Sequence, residues 1–505
     1  MIVEEANRSQ KIAKNTIILY IRMIFVLGVA LYTSRVLLDV LGVEDYGVYN
    51  VVGGMVTMLG FFNGAMVSST QRFFSFAIGQ NDIQQLNLNY STILVIQGGL
   101  ALFLLLLVET IGLWFVKNHL VIPPERMTAA LWVFHFAALT FVITILQVPF
   151  TAMIITHEQM NAYAYISIAD VLLKLVAVIA LPWVTYDKLI IYAAFLFAIA
   201  LLSLLAYVFY TRIKFRYVRY VKEKNKALFK TLLSYMGWNL WGNAAAVIMN
   251  QGVNILLNLF FGPTVNAARA IAYQVQGAVN QLVSNFQMAM NPQIVKSYAS
   301  GDIAYMHNLV IRGAKLSFFL VFIIALPIIF ETETLLNLWL KDVPEHAVLF
   351  TQLVMIYIVM ESISGTMMIS IQATGEISLY QMIVGGLLIL NLPISYLLLE
   401  HGARPEITTV ISIIIGFIAF VFRVFIVAPK ININKIKLFN ELFIKLFFVG
   451  FLASWAIYFI HSIGFSVWLN LVIVILSSLL LTSFLMFTIA FNKEERLFLV
   501  NFLRR

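Results

Sequence analysis

Between Arg269 and Asn291 the residues Arg269, Tyr273, Gln276, Asn280, Ser284, Gln287 and Asn291 recur at spacings of three or four. At about 100° per residue they share a helix sector of roughly 80°. The chemistry open to such a face is binding. Carboxamides, hydroxyls and a phenol satisfy sugar hydroxyls, and a guanidinium grips phosphate oxygens bidentately. The preceding helix repeats the device, with Asn239, Asn243, Asn250 and Asn254 within about 60° of one another. Lipid cannot hydrate either face, so both must look into protein or a water-filled cavity. Interhelical packing also uses amides, but ladders this long need more partners than packing supplies, so cavity lining is the expectation.

The first half carries a related face: Tyr46, Asn50, Gly53, Thr57, Gly60, Gly64, Ser68 and Gln71. Its glycines fit close helix packing or cavity lining equally well. On the first span Asn15, Arg22 and Thr33 share a face. Arg22 lies about 12 Å beyond Lys14 along the helix, too deep to snorkel, so it is expected to face a cavity. A cation near the bilayer centre costs roughly 2.5–3.5 kcal/mol on insertion scales. Arg269 either begins the ladder as a ligand or sits at the interface. Arg35 is expected at the outer interface or bonded to Asp39, and Arg423 is expected to snorkel. Asp170 and Lys174, four apart, read as a self-neutralising pair or as a protonatable coupling site. Glu361, with no local partner, is the other ion-coupling candidate. No metal-ligand spacing and no GxxxxGK[ST] sequence occurs, so neither a metal site nor a catalytic residue is expected.

The 505 residues are 61% hydrophobic and 11% charged, with a mean hydropathy of +0.92. Soluble domains run near 25% charged, so an all-α polytopic membrane protein is expected. About fourteen transmembrane helices are predicted: 15–38, 46–71, 91–115, 127–155, 162–184, 189–211, 233–260, 265–290, 309–331, 347–371, 378–399, 406–428, 443–461 and 467–491. The first block is too long for a cleavable signal peptide and reads as a span. Cysteine is absent, which excludes disulfides. A cytoplasmic N-terminus puts most of the 33 Lys and Arg residues on the cytoplasmic side, among them Arg504 and Arg505. Only Lys117, Arg126, Lys188, Lys341 and Arg404 then fall in outer loops, so both termini are expected in the cytoplasm. The net charge of +9 is thus a topology signal rather than a nucleic-acid signal. The basic stretch between Arg212 and Lys230 reads as positive-inside bias with anionic-lipid attraction.

An internal repeat organises these spans. Leu37–Gly47 (LLDVLGVEDYG) leads into a helix ending near Gly79-Gln80-Asn81-Asp82, and Leu256–Ala270 (LLNLFFGPTVNAARA) into one ending near Gly301-Asp302. An even number of spans separates the copies, which implies two parallel six-helix lobes with the substrate path between them. The expected organisation is a lobe at 1–211, a basic cytoplasmic linker at 212–232, a lobe at 233–430, and two additional helices with a tail at 431–505.

The run from Ala13 to Phe76, and above all TSRVLLDVLGVEDYGVYNVV with Leu41, Gly42 and Gly47, resembles the start of Wzx-type O-antigen and capsular-polysaccharide flippases. These belong to the multidrug/oligosaccharidyl-lipid/polysaccharide (MOP) exporter superfamily. The resemblance implies two six-helix lobes that rock between inward- and outward-open states in the bacterial inner membrane. It implies an oligosaccharide on an undecaprenyl diphosphate carrier as substrate, with Arg22 and Arg269 on the helices that hold the diphosphate. The two extra helices are similar to those that form a polyprenyl-tail groove in the lipid II flippase branch. Expected partners are the polyprenyl-diphosphate-linked oligosaccharide and membrane lipid, with a glycan polymerase and glycosyltransferases acting on the same carrier, and no nucleic acid. No cofactor is expected beyond a coupling ion, H⁺ or Na⁺. A MATE-type multidrug or cation antiporter on the same fold is the alternative. It would be expected to carry carboxylates on its first helices, where this chain has Arg22 and only Asp39 at the outer edge. A polytopic glycan polymerase or ligase is disfavoured by the short outer loops.

Overall fold

The computed structural model describes residues 2–57, 59–120, 122–223, 225–340, 342–464, 466–493 and 495–496. Lys341, Arg504 and Arg505, three of the charges used for orientation, lie outside them, as does the side chain of Thr57. The described residues contain helices and no strand, and they fall into two compact units, Met1–Asn243 and Ala244–Arg505.

The first unit holds α1 (Ile2–Thr57), α2 (Gly60–Gly79), α3 (Ile83–Leu107), α4 (Leu113–His119), α5 (Met127–Thr156), α6 (Met160–Ala180) and α7 (Lys188–Lys214). Helix α8 (Lys226–Phe261) crosses the boundary. The second unit continues with α9 (Pro263–Ala299), α10 (Ile303–Phe330), α11 (Thr332–Trp339), α12 (Ala347–Ser362), α13 (Ser364–Thr374), α14 (Ser378–Ile389), α15 (Asn391–Glu400) and α16 (Ile407–Lys430). It ends with α17 (Lys435–Phe439), α18 (Lys445–Ser462) and α19 (Val467–Leu485).

Among the described residues twelve helices are long and apolar enough to cross a membrane, thirteen with the bent pair 44–56 and 60–79 counted as one span. The 37-residue α9 is long enough as well, and its polar face is what keeps it out of that count. Adding it brings the number to the expected fourteen.

The repeat has a backbone signature. Gly42 (φ 77°, ψ 168°) kinks α1, and Gly262 (φ 77°, ψ −171°) separates α8 from α9. Positive φ at both places suits a residue without a Cβ. Further on, Asn81 and Gly301 also take positive φ, and each is followed by an aspartate cap. Asp82 accepts from the Gln85 N–H and Asp302 from the Tyr305 N–H.

In the first unit α5 is central, packing against α1, α2, α3 and α7. Val52, Leu104, Phe134, Ile145 and Leu189 meet there. In the second unit α9, α10, α12 and α16 surround a core that includes Leu257, Val279, Val321, Phe350 and Ile358. The boundary between units falls inside α8, past the expected linker at 212–232. The basic stretch is held to the first unit. Asn87 of α3 donates to the Tyr217 carbonyl and accepts from the Arg219 N–H, and Val221 N–H donates to Ser91 Oγ.

Candidate functional site

The polar face of α9 divides into two sites in the second unit. At one end Arg269 is only 4% exposed. Its guanidinium donates to the carboxamide oxygens of Asn254 and Asn250 on α8 and lies 4.0 Å over the Tyr273 ring. Nε is sealed from solvent and has no partner, and among the described residues no carboxylate pairs with this cation. Arg269 is therefore not an interfacial residue reaching for water. It is a buried positive charge oriented by neutral amides and an aromatic face, with donors to spare.

Toward the other end, Asn280, Ser284 and Gln287 line a cavity of about 240 Å³ with Glu361, Ser364, Gly365, Tyr380 and Arg423. Gln276 lies between the two sites, partly buried, while Asn280 is exposed. Arg423, 6% exposed, donates from Nη1 to Glu361 Oε2 (2.9 Å) and Ser364 Oγ (2.7 Å), and from Nε to the Tyr380 hydroxyl (3.2 Å). This corrects one expectation: Arg423 does not snorkel, because three acceptors inside the unit hold it. Glu361 has no partner nearby in sequence, as expected, and finds one 62 residues away. That carboxylate still keeps one side toward the cavity, its side chain being 37% exposed. Gly365 makes room for the Gln287 carboxamide, which a Cβ there would strike.

The asparagine ladder of α8 also divides. Asn250 and Asn254 belong to the Arg269 site. Asn239 does not line an open face: it is buried against α2, where Nδ2 donates to Ser69 Oγ (3.0 Å). Asn243 donates to its own helix, and its Oδ1 abuts Gly64. Their spacing matches that of Asn250 and Asn254, but α2 covers this half of the helix.

In the first unit Arg22 stacks over Tyr163 (4.7 Å), and Nε donates to Ser167 Oγ (2.5 Å), both on α6. Its terminal nitrogens have no protein acceptor among the described residues. One turn further along α6, Asp170 pairs with Lys174 (2.7 Å) and accepts from Ser203 of α7 (2.8 Å). Arg35 is exposed, and among the described residues no bond joins it to Asp39. Sequence reasoning missed a further cluster, in which Arg126 bridges Asp45 of α1 and Asp187 at the start of α7, each at 2.6 Å. Asp187 also caps α7 through the Leu189 and Ile190 N–H groups. Burial alone would raise its carboxyl, but Arg126 and the two N–H groups outweigh burial and hold it below its ordinary value. Among the described residues no three potential metal ligands converge.

No family model matches the sequence, and no curated protein matches it. Solved structures do match in fold. An outward-facing multidrug resistance MATE family transporter of the MOP superfamily superposes with a TM-score of 0.74 at 12% identity, over 84% of this chain and 96% of its own. A MATE structure in the bent conformation gives 0.74 at 11% over the same shares. A MOP superfamily transporter from Pyrococcus furiosus, described as having a binding pocket of reverse polarity that suggests a different function, gives 0.71 at 12%, over 84% and 96%. These neighbours are transporters rather than enzymes. The chain has the all-helical fold of MATE transporters of the MOP superfamily.

Proposed function

We propose that this chain is an alternating-access flippase. Its cargo would be an oligosaccharide on a polyprenyl diphosphate, carried from the cytoplasmic to the outer leaflet of the bacterial cytoplasmic membrane. Both chain termini would lie in the cytoplasm. The observation that carries this reading is Arg269, a buried cation held by Asn250, Asn254 and Tyr273 with no acid beside it. Such a group attracts an anion and repels a cationic drug. The diphosphate oxygens would take the spare donors of Arg269. In the first unit, the terminal nitrogens of Arg22, which have no protein acceptor among the described residues, are a separate candidate for an anionic oxygen. Gln276 and Asn280 would meet sugar hydroxyls. The polyprenyl tail would stay in lipid.

For ion coupling, Glu361 is a better candidate than Asp170. Asp170 is already paired with Lys174 and accepts a hydrogen bond from Ser203. Glu361 opens to a cavity, and a proton or Na⁺ reaching it would loosen Arg423.

The test is leaflet transfer of labelled undecaprenyl-diphosphate oligosaccharide by the purified protein in vesicles. Wild type should transfer it, and Arg269→Gln and Arg22→Ala should reduce transfer at least tenfold at unchanged protein level. Full transfer by Arg269→Gln would remove the reading. The second reading, a multidrug antiporter, is favoured by the fold of the multidrug neighbour. It requires drug resistance on overexpression and normal surface glycan in a deletion strain. The Pyrococcus furiosus neighbour supports letting pocket polarity decide between them, since its own reversed polarity was taken to suggest a different function.

A further inference from the structure

The glycines of α1 and α2 keep a cavity open in the first unit, and we propose that this cavity is a subsite for an uncharged sugar ring. The proposal rests on the flippase reading for its ligand class, but its test does not depend on transport. Close packing and cavity lining predict different surroundings for a glycine. Where this chain uses glycine for packing, an added Cβ collides with a neighbouring helix: at Gly313 with Met290 and Thr366, at Gly416 within 2.6 Å of Met360. At Gly54 and Gly60 an added Cβ meets nothing within 4 Å, and at Gly53 it meets only the Tyr49 ring of its own helix, at 4.0 Å. These glycines border open space.

That space is a cavity of about 470 Å³ among α1, α2, α5 and α7, within the roughly 300–1,000 Å³ typical of small-molecule sites. Among the described residues no charged side chain lines it. The acid nearest along α1, Asp45, is tied to Arg126. Neither a drug cation nor a diphosphate would find a countercharge here, and an unpaired ion is costly to bury.

Three polar groups on the wall already spend a donor on their own helices, which turns an oxygen of each toward other partners. Thr140 and Thr144 donate to the Phe136 and Phe141 carbonyls, and Asn50 Nδ2 donates to the Tyr46 carbonyl. The carbonyl oxygen of Asn63 has no partner. The wall thus combines hydroxyl and carboxamide groups, able to accept and to donate, with the apolar faces of Phe141, Ala137 and Leu196. A ligand that fits must be neutral, rich in hydroxyl groups and apolar on its faces. A pyranose meets all three conditions.

The chain has no cysteine, so Ala137→Cys places a single thiol on the cavity wall. In purified protein, saturating N-acetylglucosamine should slow maleimide labelling of that thiol at least fivefold, and tetraphenylphosphonium should not. Ser34→Cys on the exposed face of α1 controls for general effects and should be unaffected by the sugar. Adding Thr140→Val and Thr144→Val removes two acceptors at nearly constant shape, so the thiol should label as fast as before and lose its protection. Protection by the phosphonium instead of the sugar, protection that survives both valines, or a thiol that never labels would each overturn the proposal. If the labelling results hold while wild-type vesicles transfer no lipid-linked glycan, the flippase reading fails and the sugar subsite stands.

Discussion

Glu361→Gln is expected to destabilise the second unit more than Arg423→Met, although both break the same ion pair. Burial sets the asymmetry. Arg423 is 6% exposed and directs its N–H groups to Glu361, Ser364 and Tyr380, whereas the Glu361 side chain is 37% exposed to the cavity. Glu361→Gln leaves a guanidinium sealed among neutral partners. Stranding a buried ion costs about 3–5 kcal/mol, and because the glutamine oxygen can still accept one hydrogen bond, the lower end is expected. Arg423→Met leaves a carboxylate that water reaches, so no charge is trapped. Its loss is that of the hydrogen bonds, offset by relief of guanidinium desolvation, or about 1–2 kcal/mol after discounting for solvent screening. The double variant should lie within about 1 kcal/mol of Arg423→Met, because the stranded charge has gone. Thermal unfolding of the four proteins in detergent at neutral pH checks the ranking. Glu361→Gln unfolding no earlier than Arg423→Met, or a double variant no better than Glu361→Gln, would refute the burial argument.

Three further outcomes follow from the same geometry. Gly365→Ala should push the Gln287 carboxamide off Ser317, costing about 1–3 kcal/mol by overpacking and lowering vesicle transfer by more than the fall in folded protein explains. Lys315, fully buried between Glu441 (2.7 Å) and Glu495 (3.1 Å), should cost about 3–5 kcal/mol on replacement by Met, read as earlier thermal unfolding and faster proteolysis after α17. The Arg126–Asp187 pair should give the protein an acid-sensitive edge. A carboxyl held below its ordinary value stabilises fully above that value and loses its contribution as pH falls through the depressed one. Wild type should therefore lose thermal stability more steeply than Asp187→Asn as pH is lowered below 4.

The apolar spans and the paired glycine turns were legible because they rest on long, local signals. Apolar blocks mark spans whatever packs on them. Gly42 and Gly262 stand at equivalent points of the two copies, and the backbone there needs a residue that accepts positive φ. The face of α9 was legible for the same reason, since a period of 3.6 survives in any tertiary setting. Periodicity says which residues share a face and nothing about what covers it. Asn239 and Asn250 obey the same spacing on α8, yet α2 covers one and Arg269 holds the other.

The charge pairs were illegible for a different physical reason. Lys174 was found because its partner is one turn away; Arg423, 62 residues from Glu361, was not. In each case an apolar span carries an ion that lipid will not accept, so a partner was certain and only its address was hidden. The C-terminal helices extend the point. Besides the Lys315 cluster, Glu331 at the end of α10 accepts from Asn470 and contacts His461, both on the added pair of helices. Charges that look stray along α10 therefore pin α18 and α19 at two separated levels. This makes the pair an integral part of the second unit, held by buried ions that would be stranded if it detached. A deletion after Lys430 should accordingly fail to fold, read as loss of folded protein in the membrane, because it uncovers Lys315 and Glu331 toward lipid with their acceptors and donors gone.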